Sequence, residues 1–188
     1  MKSLAVIDGF VRPDAIGRIF AEVKKYRFVE VHKTTESMTG GREVRRDYAV
    51  LDGQHIQNQC PDLWLIYDQA TEAVRNVFNS QCLPRLYNRA DFVLKDYAAP
   101  EGKQSWHRDV NPIGAVIYLT ECEGGETEFE AGLSVSPRPG RLAIFDGHLP
   151  HRCATVTGGH KWAFICNWYL PGITDRPPGA EHAMLEAR

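Results

Sequence analysis

The triplet His107-Arg108-Asp109 offers an imidazole and a carboxylate two residues apart. In an extended strand, residues i and i+2 project to the same side, so the two groups can converge on one point. A further histidine, His151, lies 44 residues on, just after the β-rich run Ile144-Phe145-Asp146. Two imidazoles and one carboxylate make the facial triad of mononuclear non-haem iron(II) sites, which leaves open positions for a chelating co-substrate and dioxygen. His148 competes with His151 for the third place, but its Gly147-His148-Leu149-Pro150 setting reads as an exposed loop. His160 should point away from the face that its neighbour Lys161 occupies, and His32, His55 and His182 have no partners legible in the sequence.

Lys161 opens the otherwise apolar run Lys-Trp-Ala-Phe-Ile-Cys-Asn-Trp-Tyr-Leu. A lysine on the inward side of such a strand needs an anionic partner, because an unpaired buried charge is costly. A dicarboxylate bound at the metal would supply one. Counting by two from Lys161 passes Ala163 and Ile165 to reach Asn167, which should therefore share that inward face.

The elements that must position these groups follow from periodicity and punctuation. A short strand is expected over 3–8, and Pro13-Asp14 opens a helix with Ile16, Ile19, Phe20 and Val23 on its apolar face. Phe28 to Leu51 reads as two strands joined by Met38-Thr39-Gly40-Gly41, and the basic cluster Arg42 to Arg46 as a solvated loop or strand edge. Pro61-Asp62 opens a second helix running to about Phe78. Beyond Leu83, strands are expected over 84–98, 103–107, 113–120, 126–130, 133–137, 141–146, 151–157 and 161–170, with a short helix at 180–188. Two helices followed by many short strands predict a mostly β fold with flanking helices, a double-stranded β-helix or jelly roll. We expect one domain over 1–188: helical support and outer strands in 1–82, the jelly-roll core in 83–170, and a tail in 171–188.

Several motifs occur in an order that resembles a known family. His107-Arg-Asp109, Val116-Ile-Tyr118-Leu-Thr, Gly124-Gly125-Glu-Thr-Glu-Phe129, Pro139-Gly-Arg-Leu-Ala-Ile-Phe145, and His151 followed by Val156, Thr157, Gly159 and Lys161 resemble the prolyl-4-hydroxylase-like branch of the Fe(II)/2-oxoglutarate-dependent oxygenases. The resemblance spans residues about 90 to 170. It implies iron(II) held by His107, Asp109 and His151, with 2-oxoglutarate as co-substrate, dioxygen as oxidant, and room for ascorbate. It also implies that Lys161 binds the distal carboxylate of 2-oxoglutarate, that Tyr118 hydrogen-bonds the same group, and that Tyr97 lines the co-substrate pocket. The implied reaction is hydroxylation of an unactivated C–H bond in a small-molecule or aminoacyl substrate, such as a prolyl group, free or in a peptide. Desaturation and ring closure on the same scaffold are alternatives. Halogenation is not expected, because Asp109 fills the place a halide would need. A non-catalytic jelly-roll metal-binding module is a further alternative, although a cupin-type site would more often show a His-x-His pair with a Glu. The chain departs from the family's usual pattern at Trp162 and at Asn167, where a tryptophan is displaced by one residue to Trp168. Arg89, Trp106, Arg138 and Arg141 are substrate-side candidates that read equally well as structural residues.

Composition narrows the alternatives. Of 188 residues, 43% are hydrophobic and 24% charged, the net charge is −2 and the pI is near 6.4. A near-neutral chain without a sustained basic patch argues against nucleic-acid or membrane-surface partners. There is no run of about 18 apolar residues to span a bilayer. Five scattered cysteines (Cys60, Cys82, Cys122, Cys153 and Cys166) with no C-x-x-C pair suggest reduced thiols and a cytoplasmic protein.

Overall fold

The computed structural model describes residues 4–36, 43–51, 53–78 and 92–168. In chain order the elements are β1 (Leu4–Ile7), α1 (Pro13–Val23), β2 (Val29–Glu36), β3 (Glu43–Leu51), α2 (Gly53–Gln59), α3 (Pro61–Phe78), β4 (Phe92–Ala98), β5 (Lys103–His107), β6 (Ile113–Tyr118), β7 (Glu123–Gly124), β8 (Thr127–Phe129), β9 (Ser134–Val135), β10 (Leu142–Asp146), β11 (His151–Cys153), β12 (Val156–Gly158) and β13 (His160–Trp168). The sheet runs β1-β10-β6-β13-β4-β3, then continues β5-β11-β8-β9, while β2 pairs with β3 and β7 with β12. All pairings are antiparallel. Strand β3 joins the two halves of the roll: Ala49 to Leu51 pair with β4, and Arg46 and Asp47 pair with β5. The mostly β jelly roll with flanking helices is therefore the observed fold.

The strands β4, β6, β10 and β13 are buried on both faces, which is why they read as near-continuous apolar runs instead of alternating ones. Their residues nevertheless sort by parity. Leu94, Ile113, Ala115, Ile117, Leu142, Ile144, Phe164, Cys166 and Trp168 join the core under the helices. Tyr97, Val116, Tyr118, Ala143, Phe145 and Ala163 point to the interior of the roll. Helix α1 starts with Pro13, whose fixed φ and missing N–H suit a first helical position, and buries Ile16, Ile19 and Val23. Helix α3 buries Leu63, Ile66, Tyr67, Ala70, Thr71 and Val74. Two contacts tie α3 to the end of β13: Trp168 Nε1 donates to Thr71 Oγ1 at 3.0 Å, and the Trp168 and Tyr67 rings stack with centroids 5.5 Å apart.

The structure departs from the sequence reading in several places, one being the unexpected short strand β7. Helix α2 is additional to the two expected helices; its seven residues are too short to display a clear helical period. The strand expected over 151–157 is two strands facing different partners. His151 to Cys153 pair with β5 and β8, and Val156 and Gly158 pair with β7. At the break, Ala154 N donates to Glu126 O at 2.9 Å and the Thr155 carbonyl accepts from Gly125 N at 3.1 Å, so the backbone bonds are satisfied by a crossing. Finally, Asp109 lies beyond the end of β5, so strand parity does not place it. The 38–41 turn, the first part of the 84–98 strand, Arg89, Cys82, His182 and the 180–188 helix lie outside the described residues.

Candidate metal and co-substrate site

The chain folds His107 and His151 onto directly paired positions, the last residue of β5 and the first of β11. Their rings lie 4.3 Å apart, centroid to centroid. Asp109 is carried by the segment after β5 and anchored by its backbone N–H, which donates to Gly147 O at 2.8 Å. Gly147 is required there: a Cβ would sit 2.1 Å from Asn111 O and 3.2 Å from Asp109 Cβ. Gly114 leaves similar space, since a Cβ on it would lie 3.3 Å from Asp109 Oδ2.

One ligand atom from each of His107, Asp109 and His151 lies within 4.8 Å of the others. Asp109 Oδ1 is 3.7 Å from His107 Nε2, and Asp109 Oδ2 is 3.6 Å from His151 Nε2. Both imidazoles are fixed in the same tautomer. His107 Nδ1 donates to Ser105 O and His151 Nδ1 to Leu149 O, each at 2.8 Å, which puts both Nε2 atoms on the Asp109 side, with Gln104 Nε2 also 2.9 Å from His107 Nε2. Such outer hydrogen bonds are what orient metal-binding histidines. Burial, with His151 beside it, pushes the pKa of His107 down to about 3, so the ring is neutral and able to ligate at ordinary pH. The rings of Phe145 and Phe129 pack 4.8 and 6.1 Å from His151 and shield that side from water.

Lys161 lies deep in the same chamber, 2% exposed. Its Nζ is 3.2 Å from Cys153 Sγ and 3.4 Å from Thr127 Oγ1, and the Tyr118 and Tyr97 rings stand 5.3 and 5.4 Å away. Among the described residues no carboxylate lies within 4.0 Å of it. The Tyr118 hydroxyl donates to Thr127 Oγ1 at 2.7 Å, and burial pushes its pKa well above the ordinary phenol value, so it remains a donor. The Tyr97 hydroxyl donates to Gln104 Oε1 at 3.2 Å. The six residues assigned to metal and co-substrate thus lie on the interior side of the roll, where Tyr97, Tyr118 and Cys153 share one buried cluster with Phe129 and Phe145, which pack against His151.

Other candidates separate from it. His148 is exposed, with Nδ1 3.9 Å from Asp146. His160 faces outward to Asp96 at 3.0 Å, and His32 sits near Asp47 at 3.4 Å. Arg141 is a structural residue, donating to both carboxylate oxygens of Asp8 at 2.6 and 3.1 Å. Trp106 lies under the Arg152 guanidinium, 4.9 Å from ring centroid to Cζ. Asn167 pairs across the sheet with Gly114, on the face of β13 that carries Lys161 and Ala163. The sequence reading passed over Lys95 and Gln104, both buried in this chamber. The reasoning applied to Lys161 would have found Lys95, a lysine inside the apolar β4 strand and in phase with Tyr97.

The donor chemistry fits a divalent iron. Two imidazoles and one carboxylate are the donor set of a mononuclear non-haem centre, and a buried ammonium with no carboxylate within 4.0 Å among the described residues suits the far end of a dicarboxylate. The sequence profile of the 2OG-Fe(II) oxygenase superfamily matches residues 92–169. The matched stretch contains Tyr97, His107, Asp109, Tyr118, His151 and Lys161, so the candidate site lies within the part of the chain that is similar to the iron(II)- and 2-oxoglutarate-dependent oxygenases. No curated protein sequence matches the chain closely enough to count as a relative.

Solved structures share the fold at low identity. The viral collagen prolyl hydroxylase of Paramecium Bursaria Chlorella virus-1, solved with 2-oxoglutarate, is 20% identical at a TM-score of 0.57, over 89% of this chain and 95% of that one. A Trichoplax adhaerens prolyl hydroxylase, solved with a hypoxia inducible factor peptide fragment, is 12% identical at a TM-score of 0.68, over 90% and 84%. HygX of Streptomyces hygroscopicus, solved with nickel and 2-oxoglutarate, is 11% identical at a TM-score of 0.67, over 90% and 84%. Among the described residues, no helix is long and apolar enough to cross a membrane.

Proposed function

We propose that this oxygenase hydroxylates an unactivated C–H bond of a small-molecule or aminoacyl substrate, with prolyl groups as one candidate. His107, Asp109 and His151 hold the iron, and Lys161, Tyr118 and Tyr97 hold 2-oxoglutarate. The observation that carries this reading is the pairing of a tautomer-locked His-Asp-His cluster with a buried lysine that has no acid partner among the described residues.

When bound, iron with 2-oxoglutarate and dioxygen supplies the oxidant for C–H cleavage, and the co-substrate leaves as succinate and carbon dioxide. The chain's own residues position and protect. The Ser105 and Leu149 carbonyls keep both Nε2 atoms directed at one point. Lys161, with the donor hydroxyl of Tyr118 beside it, draws a carboxylate to the closed end of the chamber and so orients the rest of that molecule toward the histidines. Phe129 and Phe145 keep bulk water from the His151 side.

Anaerobic titration with iron(II) and 2-oxoglutarate tests the site. A weak visible charge-transfer band is expected on chelation, and its absence would favour a binding module. A substrate screen by mass spectrometry, coupled to succinate release under labelled dioxygen, tests the reaction. Gain of one labelled oxygen is expected; loss of two hydrogens would replace hydroxylation by desaturation or ring closure.

A further inference from the structure

The chamber contains a second buried lysine, which the reading above leaves without a task. Lys95 is 8% exposed. Its ammonium carries three N–H donors, and among the described residues one of them finds an acceptor, Gln104 Oε1 at 2.9 Å. The Tyr48 ring lies 4.4 Å below the nitrogen, and no carboxylate of the described residues lies within 4.0 Å. Burying a cation this way is unfavourable unless an anion joins it.

The two lysines serve different walls. On the paired strands β4 and β13, Lys161 stands opposite Tyr97 and Lys95 opposite Ala163, two residues further along. The Lys161 head turns toward Thr127 and Cys153 on β8 and β11. The Lys95 head turns toward Gln104 on β5 and Tyr48 on β3. A short dicarboxylate anchored at Lys161 therefore leaves Lys95 for another molecule.

Gln104 fixes where that molecule lies. Its Oε1 accepts from both Lys95 and Tyr97, while its Nε2 stands 2.9 Å from His107 Nε2. His107 Nδ1 already donates to Ser105, so His107 Nε2 has a single lone pair. A metal and the Gln104 amide cannot both take it. Metal binding therefore frees a Gln104 N–H, beside the metal ligands, for a new acceptor.

Resting on the oxygenase reading, we infer that Lys95 and Gln104 form the substrate's anchoring subsite, and that the molecule oxidised carries a carboxylate. One ammonium and one amide N–H match a single carboxylate. A phosphate dianion would call for more donors and would crowd Asp109 with like charge.

The test uses the full chain loaded with nickel(II), in place of iron, and 2-oxoglutarate. It is equilibrated with a defined library of free acids and their primary amides: amino acids, N-acetyl amino acids and tripeptides. Retained compounds and retained 2-oxoglutarate are counted by mass spectrometry. At least one acid should be held about tenfold or more above its amide, and Lys95→Met should lower that retention by about tenfold or more, leaving 2-oxoglutarate retention unchanged. Gln104→Glu, which sets a like charge against the carboxylate, should suppress the same acid and spare its amide. Which acids are held decides between a small acid and a peptide C-terminus. Equal retention of amides, retention of no acid, or loss of 2-oxoglutarate in Lys95→Met would each overturn the inference while the oxygenase reading stands. Failure of the unmodified protein to retain 2-oxoglutarate would instead remove the reading on which it rests.

Discussion

Replacing Lys161 by Met keeps most of the buried stem and removes only the charge. Two effects of opposite sign follow. With no co-substrate present, the ammonium is a buried cation whose neighbours among the described residues are neutral: Thr127 Oγ1 and Cys153 Sγ at 3.4 and 3.2 Å, and the Tyr118 and Tyr97 rings at 5.3 and 5.4 Å. Removing it should stabilise the ligand-free fold by about 1–3 kcal/mol, raising Tm by roughly 2–4 °C per kcal/mol in a domain of this size. Thr127 keeps its hydrogen bond from Tyr118, so the substitution leaves no orphan hydroxyl there. With 2-oxoglutarate present, the distal carboxylate loses its partner in a desolvated pocket, which typically costs about 2–5 kcal/mol. At about 1.4 kcal/mol per tenfold, affinity should fall by roughly 30-fold to a few thousandfold. Lys161→Arg should fall less, provided the wider guanidinium fits. The assay is equilibrium binding of 2-oxoglutarate to metal-loaded protein, with thermal unfolding of the ligand-free protein alongside. Unchanged 2-oxoglutarate affinity in Lys161→Met would refute the assigned role, and a large drop in ligand-free Tm would refute the argument about the uncompensated charge.

His151→Ala should abolish iron binding by equilibrium dialysis, because a three-ligand site has no spare donor, whereas His148→Ala should bind as before; the reverse result would reassign the third ligand. Gly147→Ala should displace the segment that anchors Asp109, since its Cβ would meet Asn111 O at 2.1 Å. Its metal affinity should fall about 10- to 100-fold, the usual effect of disturbing a ligand's support, as read by metal competition. Burial pushes the Cys60 thiol up to about 11. A folded pKa raised above the unfolded value gives stability that is present in full below about pH 9 and fades as pH rises toward 11. Native protein at pH 8 should therefore leave Cys60 unalkylated by iodoacetamide, and rapid labelling there would contradict its burial.

The chemistry was more legible in the sequence than the geometry that delivers it. Residue types and order were enough to single out His107, Asp109, His151 and Lys161, because two imidazoles, a carboxylate and a lysine in an otherwise apolar strand together suggest a metal with an anionic guest. Strand parity correctly brought Lys161, Ala163 and Asn167 to one face, since β13 is a regular strand throughout. The same argument named Asp109 for the wrong reason. The strand ends at His107, and a backbone bond to Gly147, 38 residues later in the chain, holds the carboxylate in place. Long-range backbone pairing of that kind leaves no local pattern. The break between β11 and β12 was invisible for a related cause: its bonds go to Glu126 and Gly125, which are adjacent only after folding. Lys95 was legible in principle, since a lysine after Phe92, Val93 and Leu94 raises the same question as Lys161.

The sorting of β13 by parity makes the strand a partition between two independently adjustable regions. Phe164, Cys166 and Trp168 answer to α1 and α3, while Lys161, Ala163 and Asn167 answer to the chamber. Substitutions that do not share neighbours tend to act additively. A lineage could therefore rework the chamber face for a different guest without loosening the packing that keeps the roll folded. It could also gain heat resistance on the helix side without altering what the enzyme accepts. Selection can act on one side of this strand at a time, and the backbone between them is what keeps the two histories apart.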